Sequence, residues 1–135
     1  MRAGGGHSHA LVLRRWAMHP ERRPRRPVIL VNRHSNALYS GMVPGLIAGI
    51  YQRQDAAIDL RRLAARAGVA LVIAEITGVD RTGKRLELSQ RPPLRFGLLS
   101  LDVGAEPRPS GGVPIKPLEP ALAFLEAEDL EKPAG

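Results

Sequence analysis

The chain has 135 residues, 44% of them apolar and 24% charged, with a formal charge of +7 and no cysteine. That length and apolar content suit a single domain with its own core and exclude a wholly disordered chain. The lack of cysteine excludes disulfides, thiolate metal sites, cysteine nucleophiles and dithiol redox pairs, so any redox chemistry needs a bound cofactor.

The N-terminus runs from Met1-Arg2-Ala3 into glycines and a polar His-Ser-His, unlike a secretory leader. No apolar run approaches the roughly 20 residues of a membrane span, and the expectation is a cytoplasmic protein. Gly4-Gly5-Gly6 open a helix in which Ala10, Leu13, Trp16 and Ala17 share one face. Arg22, Arg23, Arg25 and Arg26, with Pro24 and Pro27, end that helix in an extended basic loop. Val28-Ile29-Leu30-Val31 is a continuous apolar run, as in a parallel strand covered on both faces. A long connection, Arg33 to Tyr51, holds a short helix over Met42 to Ile47.

Asp59 caps a helix that runs through Arg66 and stops at Gly68. Val69 to Ile73 is the next apolar strand, and Arg81-Thr82-Gly83-Lys84 is a hairpin turn joining Glu75–Val79 to Arg85–Leu88. Phe96 to Val103 reads as a further strand ending at Gly104, followed by a Pro/Ser/Gly loop over 105–112. A short strand at Val113–Lys116 and an acidic helix over Glu119–Glu131 close the chain. Strands alternating with helices predict an α/β fold with a mainly parallel sheet.

A glycine turn that opens a helix is a phosphate-binding device, because its backbone admits a close anion and the helix N-terminus favours negative charge. Gly4 and Gly6 match the first two glycines of G-x-G-x-x-G, while His9 stands at the third, with Ala10 beside it. Asn32 stands at the end of the second strand, where an acidic residue would accept ribose hydroxyls. The glycines by themselves are weak evidence, and a flexible leader is the lesser alternative.

Two stretches in order, Gly4-Gly5-Gly6-His7-Ser8-His9-Ala10-Leu11-Val12-Leu13-Arg14 and Tyr39-Ser40-Gly41-Met42-Val43-Pro44-Gly45, resemble the pyridine nucleotide-disulfide oxidoreductase superfamily. The likeness is to its FAD-dependent, type II NADH-dehydrogenase-like flavoproteins, including the module fused ahead of selenide, water dikinase. It continues through Ile58–Leu63, Ala74–Asp80, Leu98–Gly104 and Pro114–Pro117. The resemblance implies a Rossmann-like FAD/NAD(P)-binding fold over residues 1–117, with 118–135 leading to a nicotinamide-binding domain. It implies FAD with its pyrophosphate over Gly4, Gly5, Gly6, His7, Ser8 and His9, its ribose near Asn32 and Arg33, and its adenine near Glu75 and Ile76. Ser40, Gly41, Met42 and Pro44 would approach the flavin, and Asp102 with Gly104 would close over the phosphates. Such enzymes pass a hydride from NAD(P)H to the flavin and then to an acceptor.

This sequence departs from the family in three places. The strand before the turn is reduced to Met1–Ala3, Gly97 replaces a common acidic residue, and the nicotinamide-binding domain and returning part of the FAD domain are absent. The chain therefore reads as the N-terminal part of the family's protein, dependent on missing domains or a partner chain and not catalytic alone.

Other chemistries find less support. His7 and His9, two apart on a helix, diverge and lack neighbouring carboxylates, so no metal is expected. Ser8 has no nucleophile elbow, and Glu75 and Asp102 suit structure or ribose contact better than acid–base work. Two alternatives stand beside the flavoprotein: a Rossmann-like interaction module without cofactor, and a basic nucleic-acid-associated protein. The second is disfavoured because aromatics make up only 4% of the chain and base stacking needs them.

Overall fold

A computed structural model of the chain describes residues 1–104 and Ala123. The loop over 105–112, the strand at Val113–Lys116 and, Ala123 apart, the helix over Glu119–Glu131 lie outside the described residues, as does the division at 117.

In chain order the first elements are β1 (Arg2–Ala3), α1 (His7–Met18), β2 (Ile29–Asn32), β3 (Asn36–Leu38), α2 (Val43–Ile47) and β4 (Ala57–Asp59). They are followed by α3 (Leu60–Arg66), β5 (Ala70–Ile73), β6 (Ile76–Asp80), β7 (Arg85–Leu88), β8 (Arg91–Arg95) and β9 (Ser100–Leu101). Two compact units form: Met1–Ala37 with Ala57–Val103, and, among the described residues, Leu38–Ala56 with Gly104 and Ala123.

In the first unit β5, β2, β1 and β9 lie side by side in that order, every pairing parallel. Side chains alternate across such a sheet, and β2 shows the consequence. Leu30 faces a core built with Leu13 and Trp16 of α1, Leu60 and Ala64 of α3, and Ala67 and Val69 beyond α3. Its neighbour Val31 faces a different core with Ala3, Ala74, Leu86 and Leu88. Helices thus cover one face, and the antiparallel sheet β6-β7-β8 covers the other. The architecture is α/β and Rossmann-like, and the apolar residues Ile29–Val31 of β2 are covered on both faces, as the apolar run from Val28 requires.

The first strand is as short as the sequence indicates, two residues, yet it is an inner strand. Gly4 N–H donates to the Val31 carbonyl at 2.8 Å and Asp102 N–H to the Ala3 carbonyl at 2.8 Å, which extends the ladder on both sides. Among the described residues the edges of this sheet are β5 and β9.

Asp59 caps α3 by accepting from Arg62 N–H at 2.9 Å, and Gly68 stops the helix at φ +63°. The hairpin turn between β6 and β7 is held by Asp80, whose carboxylate accepts from Gly83 N–H at 2.7 Å. The strand expected over Phe96–Val103 contracts to β9, the long connection carries β3 in addition to its short helix, and β4 and β8 form over residues for which no strand is expected. β8 tolerates its prolines because it is the edge of the antiparallel sheet.

The second unit is a tight excursion. A turn of 3-10 helix at Ser40–Met42 leads into α2, and Val43 packs with Leu38 and Leu46. The Tyr51 ring lies so close over Gly45 that a Cβ there would sit 2.4 Å from it.

Candidate dinucleotide-binding site

The glycine turn leaves β1 at the carboxyl edge of the parallel sheet. The chain goes from β1 to one side for β2 and β5, while β9 lies on the other side. That makes the carboxyl end of β1 the point where the strand order reverses, the usual crevice for a ligand in an open α/β sheet. Gly4 has φ +91°, and a Cβ on it would lie 2.1 Å from the Asp102 carbonyl oxygen. Backbone therefore touches backbone here, and only glycine fits. Gly5 N–H donates to Asn32 Oδ1 at 2.8 Å, and Gly6 N–H reaches the Asp102 carbonyl at 3.3 Å.

Gly6 is the N-cap of α1 and offers no side chain to it. The cap comes from far away in sequence: Asp102 Oδ2 accepts from His9 N–H at 3.0 Å. A carboxylate there satisfies an orphan donor and meets the positive end of the helix. Among the described residues Ser8 N–H has no acceptor, so one donor of the first turn stays available to an anion.

His9 replaces the third glycine of the fingerprint, whose role is close helix–strand packing. Its imidazole fills that space. The ring is buried, with Nδ1 2.7 Å from the Gly4 carbonyl and Nε2 2.8 Å from Ser100 Oγ. A carbonyl only accepts, so Nδ1 carries the proton and the Ser100 hydroxyl donates to Nε2. One neutral ring thereby ties the turn, α1 and β9 together. Beside it Arg2 stacks on the Trp16 ring, 4.8 Å from its centroid. Among the described residues no buried side-chain nitrogen or oxygen lacks a partner.

Burial pulls the His9 pKa below its ordinary 6.5, and nearby Arg2 and the Met1 ammonium pull the same way, against the Gly4 carbonyl and Asp102. The unfolded chain therefore binds a proton at a higher pH than the folded one. Stability contributed by neutral His9 is complete above about pH 6.5 and declines as pH falls below it, by at most about 1.4 kcal/mol per pH unit. Urea midpoints measured from pH 7.5 down to pH 5.5 are expected to fall in the native chain and to stay flatter in His9→Gln. Equal slopes in both proteins would remove His9 from this role.

The remaining candidates divide between the two units. Asn32 accepts from Gly5 and donates to the His34 carbonyl at 2.8 Å, so its amide holds the turn to the end of β2. Arg33 pairs with Glu75, which joins the ends of β2 and β5, and Ile76 begins β6. Gly4, Gly5, Gly6, Ser8, His9, Asn32, Arg33, Glu75 and Asp102 thus gather along one edge of one sheet. His7 stands in the exposed first turn of α1. Ser40, Gly41, Met42 and Pro44 belong to the second unit, with Gly104 at φ +78°. Ser100 was not foreseen. Nothing local in the sequence marks a strand serine as the partner of a histidine 91 residues away.

No protein-family profile matches the chain, and no curated protein matches it. Solved structures do. The sulfide:quinone oxidoreductase from the hyperthermophilic bacterium Aquifex aeolicus aligns with 96% of this chain at TM-score 0.73 and 14% identity. Reduced Bacillus anthracis CoADR-RHD aligns with 81% at TM-score 0.65 and 22% identity. At these identities the likeness is one of fold. The chain spans 31% of the first of these proteins and 21% of the second.

Proposed function

We propose that this chain is the FAD-binding portion of an NAD(P)H-dependent flavin oxidoreductase. In that reaction a hydride passes from a nicotinamide to the flavin and on to an acceptor. The observation that carries the proposal is the glycine turn opening α1 at the strand-order reversal of a parallel sheet.

The residues present suit such a cofactor. The turn has no Cβ atoms to hold an anion away, and Ser8 N–H with the dipole of a 12-residue helix favours a phosphate oxygen. Asn32 Oδ1, bonded once to Gly5, keeps a second lone pair for a ribose hydroxyl. The Asp102 carboxylate keeps further acceptor sites for hydroxyls. Ser40, Gly41, Met42 and Pro44 are assigned to the flavin end as part of the same proposal. FAD, when bound, supplies the hydride-accepting ring. The described residues hold and orient its nucleotide end, and the nicotinamide site is assigned to a polypeptide beyond them.

One observation favours a second reading, a Rossmann-like interaction module without cofactor: Asp102 already occupies part of the α1 N-terminus, where it would repel a phosphate. The two readings separate in one absorbance measurement on the purified chain, before and after incubation with FAD and gel filtration. Visible absorbance retained after the column is expected. A chain that is folded by circular dichroism yet colourless would leave the interaction module standing and overturn the flavoprotein.

A further inference from the structure

We infer that the outer face of α1 and α3 docks on an anionic phospholipid bilayer, an inference independent of whether the glycine turn holds FAD. The face is strongly cationic. Arg14 and Arg15 of α1, Arg22, Arg23, Arg25 and Arg26 of the following loop, and Arg61, Arg62 and Arg66 of α3 make nine arginines. The carboxylates of the same stretches are Glu21 and the capping Asp59. α1 and α3 share one core, and Arg23 donates to the Gly68 carbonyl at 3.1 Å, which fixes the loop against the end of α3. Compensation of helix C-termini accounts for Arg15 and Arg66 in the last turns, but not for the others.

The second feature is apolar. Leu11 is 48% exposed and Met18 63% exposed, on the side of α1 opposite His9, Leu13 and Trp16. Seven residues apart, they form a ridge about 10 Å long, with Arg14 on one flank and Arg15 on the other. Apolar tips between arginines match a bilayer interface: the tips enter the acyl boundary while the guanidinium groups meet lipid phosphates. A duplex nucleic acid would use the arginines but leave Leu11 and Met18 in water. Base stacking would need an aromatic, and Trp16 is buried. The glycine turn lies at the opposite end of α1, so lipid at this face leaves it open.

The test is co-sedimentation of the full chain with vesicles of phosphatidylcholine, alone or mixed with phosphatidylglycerol. Binding to the mixed vesicles only, weakening with salt, is expected. Arg14→Gln with Arg15→Gln is expected to weaken it roughly 25-fold, about fivefold for each arginine. Leu11→Ser with Met18→Ser keeps every charge and is expected to weaken it roughly tenfold. Circular dichroism checks that both variants remain folded. No binding to the mixed vesicles would overturn the proposal. So would full binding by Leu11→Ser/Met18→Ser, or tighter binding of the native chain to duplex DNA than to the vesicles, either of which marks a general polyanion site.

Discussion

Replacing Gly4 with alanine is expected to lower the stability of the chain by roughly 2–5 kcal/mol, the sum of a Cβ at positive φ and an overlap that packing cannot relieve. The Cβ would lie 2.1 Å from the Asp102 carbonyl oxygen and 2.8 Å from Val103 Cα, all backbone atoms of the strand exit beside β1. No rotamer change relieves such a contact. Either β9 separates from β1 or the turn opens, and each destroys the edge on which the candidate site is built. Gly49 provides the control. Its φ is +70°, but nothing lies within 4 Å of a Cβ there, so alanine should cost only about 1 kcal/mol of backbone strain. Urea midpoints of the two variants check this. Equal losses would mean that the close approach of residues 4 and 102 contributes nothing.

Leu13→Ala is expected to cost about 2–5 kcal/mol, because it removes a fully buried side chain and leaves a cavity. Leu13 fills the space between α1 and the sheet, in one core with Leu30 of β2 and Leu60 of α3. That loss is a large share of the roughly 5–15 kcal/mol by which domains are stable. Two residues earlier on the same helix, Leu11 faces away from the core, and Leu11→Ala should change stability by less than about 0.5 kcal/mol. Paired chemical denaturation curves give both numbers. A Leu11 effect as large as that of Leu13 would contradict the assignment of the helix faces.

What could be read from the sequence was local. The spacing of Ala10, Leu13 and Trp16 marked the buried face of α1, the apolar run before Asn32 marked a doubly covered strand, and Asp59 and Gly68 marked the two ends of α3. β8 was hidden because prolines argue against strands in general and an edge is the exception. β9 was overextended: Phe96 to Val103 has strand composition, but Leu98 is 81% exposed and only Ser100–Leu101 pair. The glycine turn was recognisable, but its cause was not, since Asp102 supplies both the backbone that forces glycine at position 4 and the carboxylate that caps α1. His9 did carry a signal that polarity masked. It lies four residues before Leu13 and seven before Trp16, hence on the buried face of the same helix.

The position of β1 between β2 and β9 governs the order in which the sheet is completed. During synthesis β1 precedes its partner β9 by nearly a hundred residues, and the His9–Ser100 and His9–Asp102 hydrogen bonds wait for the same late segment. α1, β2, α3 and β5 can gather first through contacts closer in sequence. Until residues 100–102 emerge, one edge of β1 stays unpaired and the α1 N-terminus lacks its carboxylate cap. Long-range pairing of this kind slows folding and exposes strand edges along the way. The glycine turn is therefore among the first parts of the fold to be synthesised and among the last to acquire its shape.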